Sequence, residues 1–162
     1  MTATIDIAPS SDRELVLARI IDAPRANIWR CWTEPELVTQ WFVPKPWSVP
    51  RAEMDVRPGG SSLIVMADPN GNEYPNPGVY LDVVSNEKLV FTDAFTSAWQ
   101  PSGKPFMVGI VTLEDAGEGR TRYVATVRHW TVEDREQHEK MGFYEGWGIC
   151  AEQLETLAKS LS

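Results

Sequence analysis

Segment 143–161 constrains the fold of this chain more than any other. Phe143, Trp147, Cys150, Leu154, Leu157 and Leu161 recur there at steps of four and three. Tyr144, Ala151 and Ala158 widen the stripe, and Glu145, Glu152, Thr156 and Lys159 lie opposite. This is the pattern of an amphipathic helix with a broad apolar face, which must be covered by something equally apolar. Upstream, Thr131-Val132-Glu133-Asp134 resembles a capping box, with two carboxylates suited to the first turn of a helix. Gly142, Gly146 and Gly148 each cost roughly 1 kcal/mol relative to alanine inside a helix. They allow a close approach, a bend, or a later start of the continuous helix.

The covering surface is written in a different period. Ala52, Met54 and Val56 alternate with Glu53, Asp55 and Arg57, the signature of a half-buried strand. Pro58-Gly59-Gly60 turns the chain, and 62–67 returns, forming a hairpin. Further strands are expected over 78–84, 88–95, 106–113 and 121–130, after the strong turn Asp68-Pro69-Asn70-Gly71-Asn72 and between polar connections. Short strands at hairpin spacing build an antiparallel meander and not a parallel sheet. Ahead of them, 14–21 (ELVLARII) is a compact apolar strand ended by Asp22-Ala23-Pro24. Short helices are expected over 25–33, with Ile28, Trp29 and Trp32, and over 36–42, with Leu37, Val38, Trp41 and Phe42. The three prolines of 43–50 imply an extended loop, on which Trp47 is a costly side chain unless it covers something. The fold class is therefore α+β: an antiparallel sheet of about seven strands, two short helices and a long C-terminal helix. Residues 1–13 read as a flexible lead and 14–162 as one domain.

Charge narrows the partners. The chain has 162 residues, 23 acidic against 15 basic, and a formal net charge of -8 without any basic run. Binding to nucleic acid or to an anionic membrane would need a concentrated basic face. No apolar run approaches the roughly 20 residues of a membrane-spanning helix, so no membrane insertion is expected. The start lacks the charged and apolar regions of a signal peptide. Cys31 and Cys150 are isolated, without ligand spacing, and fit buried thiols in a reducing cytoplasm. HxH, HExxH and Cys/His clusters are missing, as are nucleophile elbows and phosphate-cradling loops, so neither metal nor cofactor is expected.

The order of motifs resembles the helix-grip fold of the START-like (SRPBCC) superfamily, and within it the bacterial relatives of the C-terminal domain of the activator of Hsp90 ATPase. The resemblance rests on Asp22-Ala23-Pro24, Ile28-Trp29, the run Trp32 to Leu37, Trp41-Phe42 and Pro58-Gly59-Gly60. It continues through the run Glu87 to Thr92, the stretch Gly119 to Arg122, and Met141 to Trp147 with Leu154 and Leu157. It implies a curved sheet gripping the C-terminal helix over a groove or cavity, which in the superfamily holds lipids, polyketides, plant hormones or nothing identified. The co-chaperone's additional N-terminal domain has no counterpart here, so a chaperone partner rests on fold analogy alone.

Site candidates come from strand parity and aromatic spacing. Trp41, Trp47, Tyr80, Phe95, Phe106, Phe143 and Trp147 are expected to line a pocket for a hydrophobic small molecule. Met54, Met66 and Met141 would supply adaptable packing, and Cys150 continues the stripe. Ordinary core packing explains the same spacings, and for Trp29 and Trp32 it is the favoured reading. His129 shares a strand face with Tyr123, Ala125 and Val127, and Asp93 has the parity of Leu89, Phe91 and Phe95. Together they are candidates for an acid/base pair in a cyclase-like enzyme. Alternatively, His129 bonds a backbone carbonyl, and a strand end after Phe91 puts Asp93 in water. His138 falls off the stripe and is expected in solvent. The leading expectation is a binding module, monomeric or homodimeric, ahead of an enzyme and of a chaperone-interaction domain.

Overall fold

The structure is a computed structural model and describes residues 1–161. Its first strand, β1 (Ala3–Thr4), pairs with β2 (Glu14–Ile21). Thr2 reinforces this by donating its hydroxyl to Glu152 at 2.7 Å. Pro24 precedes α1 (Arg25–Thr33), which buries Ile28, Cys31 and Trp32. Pro35 opens α2 (Pro35–Val38), shorter than the expected 36–42. Turns then carry Trp41 and Phe42 inward.

The meander follows as β3 (Ser48–Met54), β4 (Ser61–Ala67), β5 (Glu73–Val84), β6 (Lys88–Thr92), the small hairpin of β7 (Phe95–Ser97) and β8 (Gln100–Pro101), β9 (Met107–Gly117) and β10 (Arg120–His129). Eight strands make one antiparallel sheet in the order β1-β2-β10-β9-β6-β5-β4-β3, one more than the sequence suggests. Register shifts at Ser48/Arg51 and Tyr80/Asp82 are the local irregularities that bend such a sheet. Strand β5 begins five residues earlier than the sequence suggests and runs through Pro75 and Pro77. Over that stretch it pairs only with β4, so the missing proline N–H groups interrupt no second ladder.

The expected 88–95 strand breaks after Thr92. The Thr92 hydroxyl donates to the Met107 carbonyl at 2.8 Å and accepts from the Ala94 N–H at 3.1 Å, a side-chain competitor to the ladder. Two helices close the chain, α3 (Val132–Lys140) and α4 (Phe143–Ser160). Thr131 caps α3 by accepting the Asp134 N–H at 3.0 Å. Gly142, at φ 95°, separates the helices in a conformation that side-chain-bearing residues avoid. Helix α4 buries Phe143, Ala151, Leu154 and Ala158 in the main core, together with Leu15 and Ile21 of β2, Leu113 of β9 and Tyr123 of β10.

Candidate functional site

Between the sheet, the two short helices and the start of α4 lies a cavity of about 500 Å³. The sheet forms its floor with Tyr80, Leu89, Phe91 and Tyr123. One wall comes from Trp32, Val38, Trp41 and Phe42, the opposite one from Phe143, Trp147 and Cys150, and Met54, Ile64 and Met66 close one end. Met141 and Pro77 also border it and are exposed, which places the mouth at the junction of α3 and α4.

The walls are held by their own contacts and do not depend on a ligand. Trp32 meets Trp41 edge to face at 4.9 Å and leans on Phe91 at 5.6 Å. The Trp41 indole N–H donates to the Cys31 carbonyl at 2.9 Å. Gln153, on α4, donates its amide to the carbonyls of Trp41 and Val43 at 3.0 and 2.7 Å and accepts the Lys45 N–H at 3.1 Å. This one side chain ties the 41–45 segment to the helix across the cavity's edge. Phe91 covers Gly109, where a Cβ would come within 2.4 Å of the ring. Glycine there lets the ring lie flat on the sheet, leaving open the space above it.

Of the residues singled out in the sequence, Trp41, Met54, Met66, Tyr80, Phe106, Phe143, Trp147 and Cys150 border this cavity. Trp47, Phe95 and His129 do not. Trp47 is 38% exposed and stacks on Tyr74 at 5.5 Å. Phe95 follows the break at Thr92, onto β7, where it meets Trp99 edge to face. Trp32 and Phe91 border it as well, although their spacing reads simply as core.

The proposed acid/base pair is not assembled as a hydrogen-bonded dyad. Asp93 borders the cavity, but its carboxylate accepts the backbone N–H groups of Phe106 and Met107 at 2.8 and 3.1 Å. Its work there is to pin the entry into β9. His129 is 4% exposed, and its Nδ1 donates to the Arg13 carbonyl at 2.9 Å. Its Nε2 meets Nδ1 of His138 at 2.9 Å.

His138 corrects the expectation of a solvent-exposed ring. It is half-buried, borders the cavity, and packs against Phe106 at 5.1 Å, Phe143 at 5.2 Å and Trp147 at 6.4 Å. The stripe of α4 cannot be extended backwards through Gly142, because the helix axis changes there. Burial, reinforced by neighbouring His129, pushes the His138 pKa down to about 4. Burial raises both thiols, Cys31 and Cys150, to about 12 and also raises the phenols of Tyr80 and Tyr123. No Lys or Arg borders the cavity among the described residues. Nor do those residues contain a cluster of three or more His, Cys, Asp or Glu able to hold a metal ion.

Residues 22–159 match the family model described as Activator of Hsp90 ATPase homolog 1-like protein. A crystal structure of a protein from Nitrosomonas europaea shares 42% identity, covering 93% of this chain and 97% of that one, with a TM-score of 0.89. A Rhodobacter sphaeroides protein, at 19% identity and coverage of 96% and 99%, superposes with a TM-score of 0.83. The AHSA1-like protein from Aeromonas hydrophila, at 15% identity and coverage of 91% and 92%, gives 0.70. The last two likenesses concern the fold. No curated protein matches the chain.

Proposed function

The chain belongs to the Activator of Hsp90 ATPase homolog 1-like family, and within that START-like frame we propose that it binds an apolar or aromatic small molecule between sheet and C-terminal helix. The observation that carries this reading is a cavity of about 500 Å³, walled by aromatic and aliphatic side chains that are already fixed by mutual contacts. Small-molecule sites are typically of this size, preformed and mostly apolar, with few polar groups. Binding without turnover is the simpler chemistry here, because Asp93 and His129 are both engaged by the backbone. The two free cysteines, with thiols held protonated by burial, are in keeping with a reducing cytoplasm.

Gly146 provides the test. It borders the cavity on α4, and a Cβ built there meets nothing within 4 Å. Gly146→Leu therefore fills space without deleting a contact, and leucine favours the helix. Titration with the neutral fluorophore N-phenyl-1-naphthylamine is expected to saturate at one site per chain in the parent protein. The expected loss in Gly146→Leu is roughly tenfold or more in affinity, with the thermal midpoint kept or raised. Equal affinity in both proteins would reject the cavity as the binding site. An Hsp90-type partner is the alternative that the family's description raises. Co-sedimentation with Hsp90 that survives Gly146→Leu, in a protein that binds no probe, would favour it.

A further inference from the structure

One polar atom at the cavity border carries a chemical specification. The Arg13 carbonyl can only accept, so Nδ1 of His129 carries a proton. When both rings are neutral, Nε2 of His129 is then a bare acceptor, and the bond to His138 requires the proton on Nδ1 of His138. The chain of bonds from Arg13 through His129 thus leaves Nε2 of His138 unprotonated. That atom has no partner among the described residues, and the ring is held between Phe106, Phe143 and Trp147 on the cavity border.

Trp32 borders the same cavity, but its indole N–H is enclosed away from the open space, beside the Tyr123 hydroxyl, and offers a ligand nothing. With no Lys or Arg on the border among the described residues, and with Asp93 on it, a carboxylate or phosphate ligand would meet no positive charge to offset its desolvation.

We infer that the cavity selects an uncharged aromatic ligand bearing a hydrogen-bond donor, such as a phenolic hydroxyl, for Nε2 of His138. This deepens the small-molecule reading above and rests on it.

Matched probes separate the two. In calorimetric titrations of the parent protein, 1-naphthol is expected to bind about tenfold more tightly than 1-methoxynaphthalene, which has the same rings and no donor. Ionised 1-naphthoate is expected to bind roughly a hundredfold more weakly than 1-naphthol, or not measurably. In His138→Phe the preference for naphthol over its ether is expected to vanish while the ether still binds. The histidine spectra of the unmodified protein should show Nε2 of His138 unprotonated, a readout that needs no variant. Naphthol and ether binding equally, naphthoate binding best, or a protonated Nε2 would each overturn the inference while leaving cavity binding intact. If no probe binds and Gly146→Leu changes nothing, the cavity reading itself falls and takes the inference with it.

Discussion

Acidification is expected to weaken the fold through His138 in a defined window. The unfolded chain takes up a proton on this residue near pH 6.5, whereas in the fold burial and His129 hold the value at about 4. A depressed histidine costs nothing above about pH 6.5, where it is neutral in both states, destabilises the fold progressively as the pH falls toward 4, and adds no further penalty below that. The difference of about 2.5 units, at 1.36 kcal/mol per unit, corresponds to something on the order of 3 kcal/mol. That is a large share of the roughly 5–15 kcal/mol that stabilises a domain of this size. Carboxylates titrate in the same range, so the comparison needs a variant. His138→Asn keeps an amide donor in place of Nδ1, facing Nε2 of His129, and does not ionise. Urea unfolding at pH 7.5 and pH 4 is expected to show the parent losing on the order of 3 kcal/mol more than His138→Asn. Equal losses in the two proteins would refute the buried, neutral His138 on which the site's polarity depends.

Three further outcomes follow from the packing. Gly109→Ala puts a methyl group 2.4–2.5 Å from two ring atoms of Phe91. It is expected to cost about 1–3 kcal/mol in thermal or urea unfolding, and an unshifted midpoint would show that the ring yields freely. Thr131→Ala removes the side chain that accepts the Asp134 N–H of a helix with no buried residues of its own. It is expected to cost about 1 kcal/mol and to raise amide exchange across 132–140. Both thiols are raised to about 12 by burial, so at pH 8 a disulfide reagent is expected to label native protein at least roughly a hundredfold more slowly than protein in urea. Prompt labelling of the native state would show that Cys150 is reached through the cavity mouth.

The fold was legible because its two periods are cleanly written. Alternation in 52–57 and the four-and-three stripe from Phe143 each permit one element type, and the turn residues punctuate them. Boundaries slipped where a side chain competes with the ladder, as Thr92 and Asp93 do, or where proline sits beside an absent partner strand, as in β5. The site was half legible for the same reason. Residues on regular elements, such as Tyr80, Phe143 and Trp147, reach the cavity as their parity implies. Trp47 lies on a loop, and Phe95 lies on the separate hairpin of β7 beyond the break at Thr92, to which the parity of β6 does not carry over. His138 is not legible from the stripe, because the φ of 95° at Gly142 resets the helical phase between α3 and α4. Trp32 reads as core from its spacing and packs with core neighbours, yet it also borders the cavity, which only the assembled fold shows.

Methionine methyl spectroscopy tests the cavity most directly, because four of the five methionines, Met54, Met66, Met107 and Met141, border it and Met1 does not. Saturation with N-phenyl-1-naphthylamine is expected to shift the methyl signals of Met54 and Met66, at the inner end, along with those of Met107 and Met141. Probe bound at full occupancy with Met54 and Met66 unmoved would contradict a ligand lying between the sheet and α4.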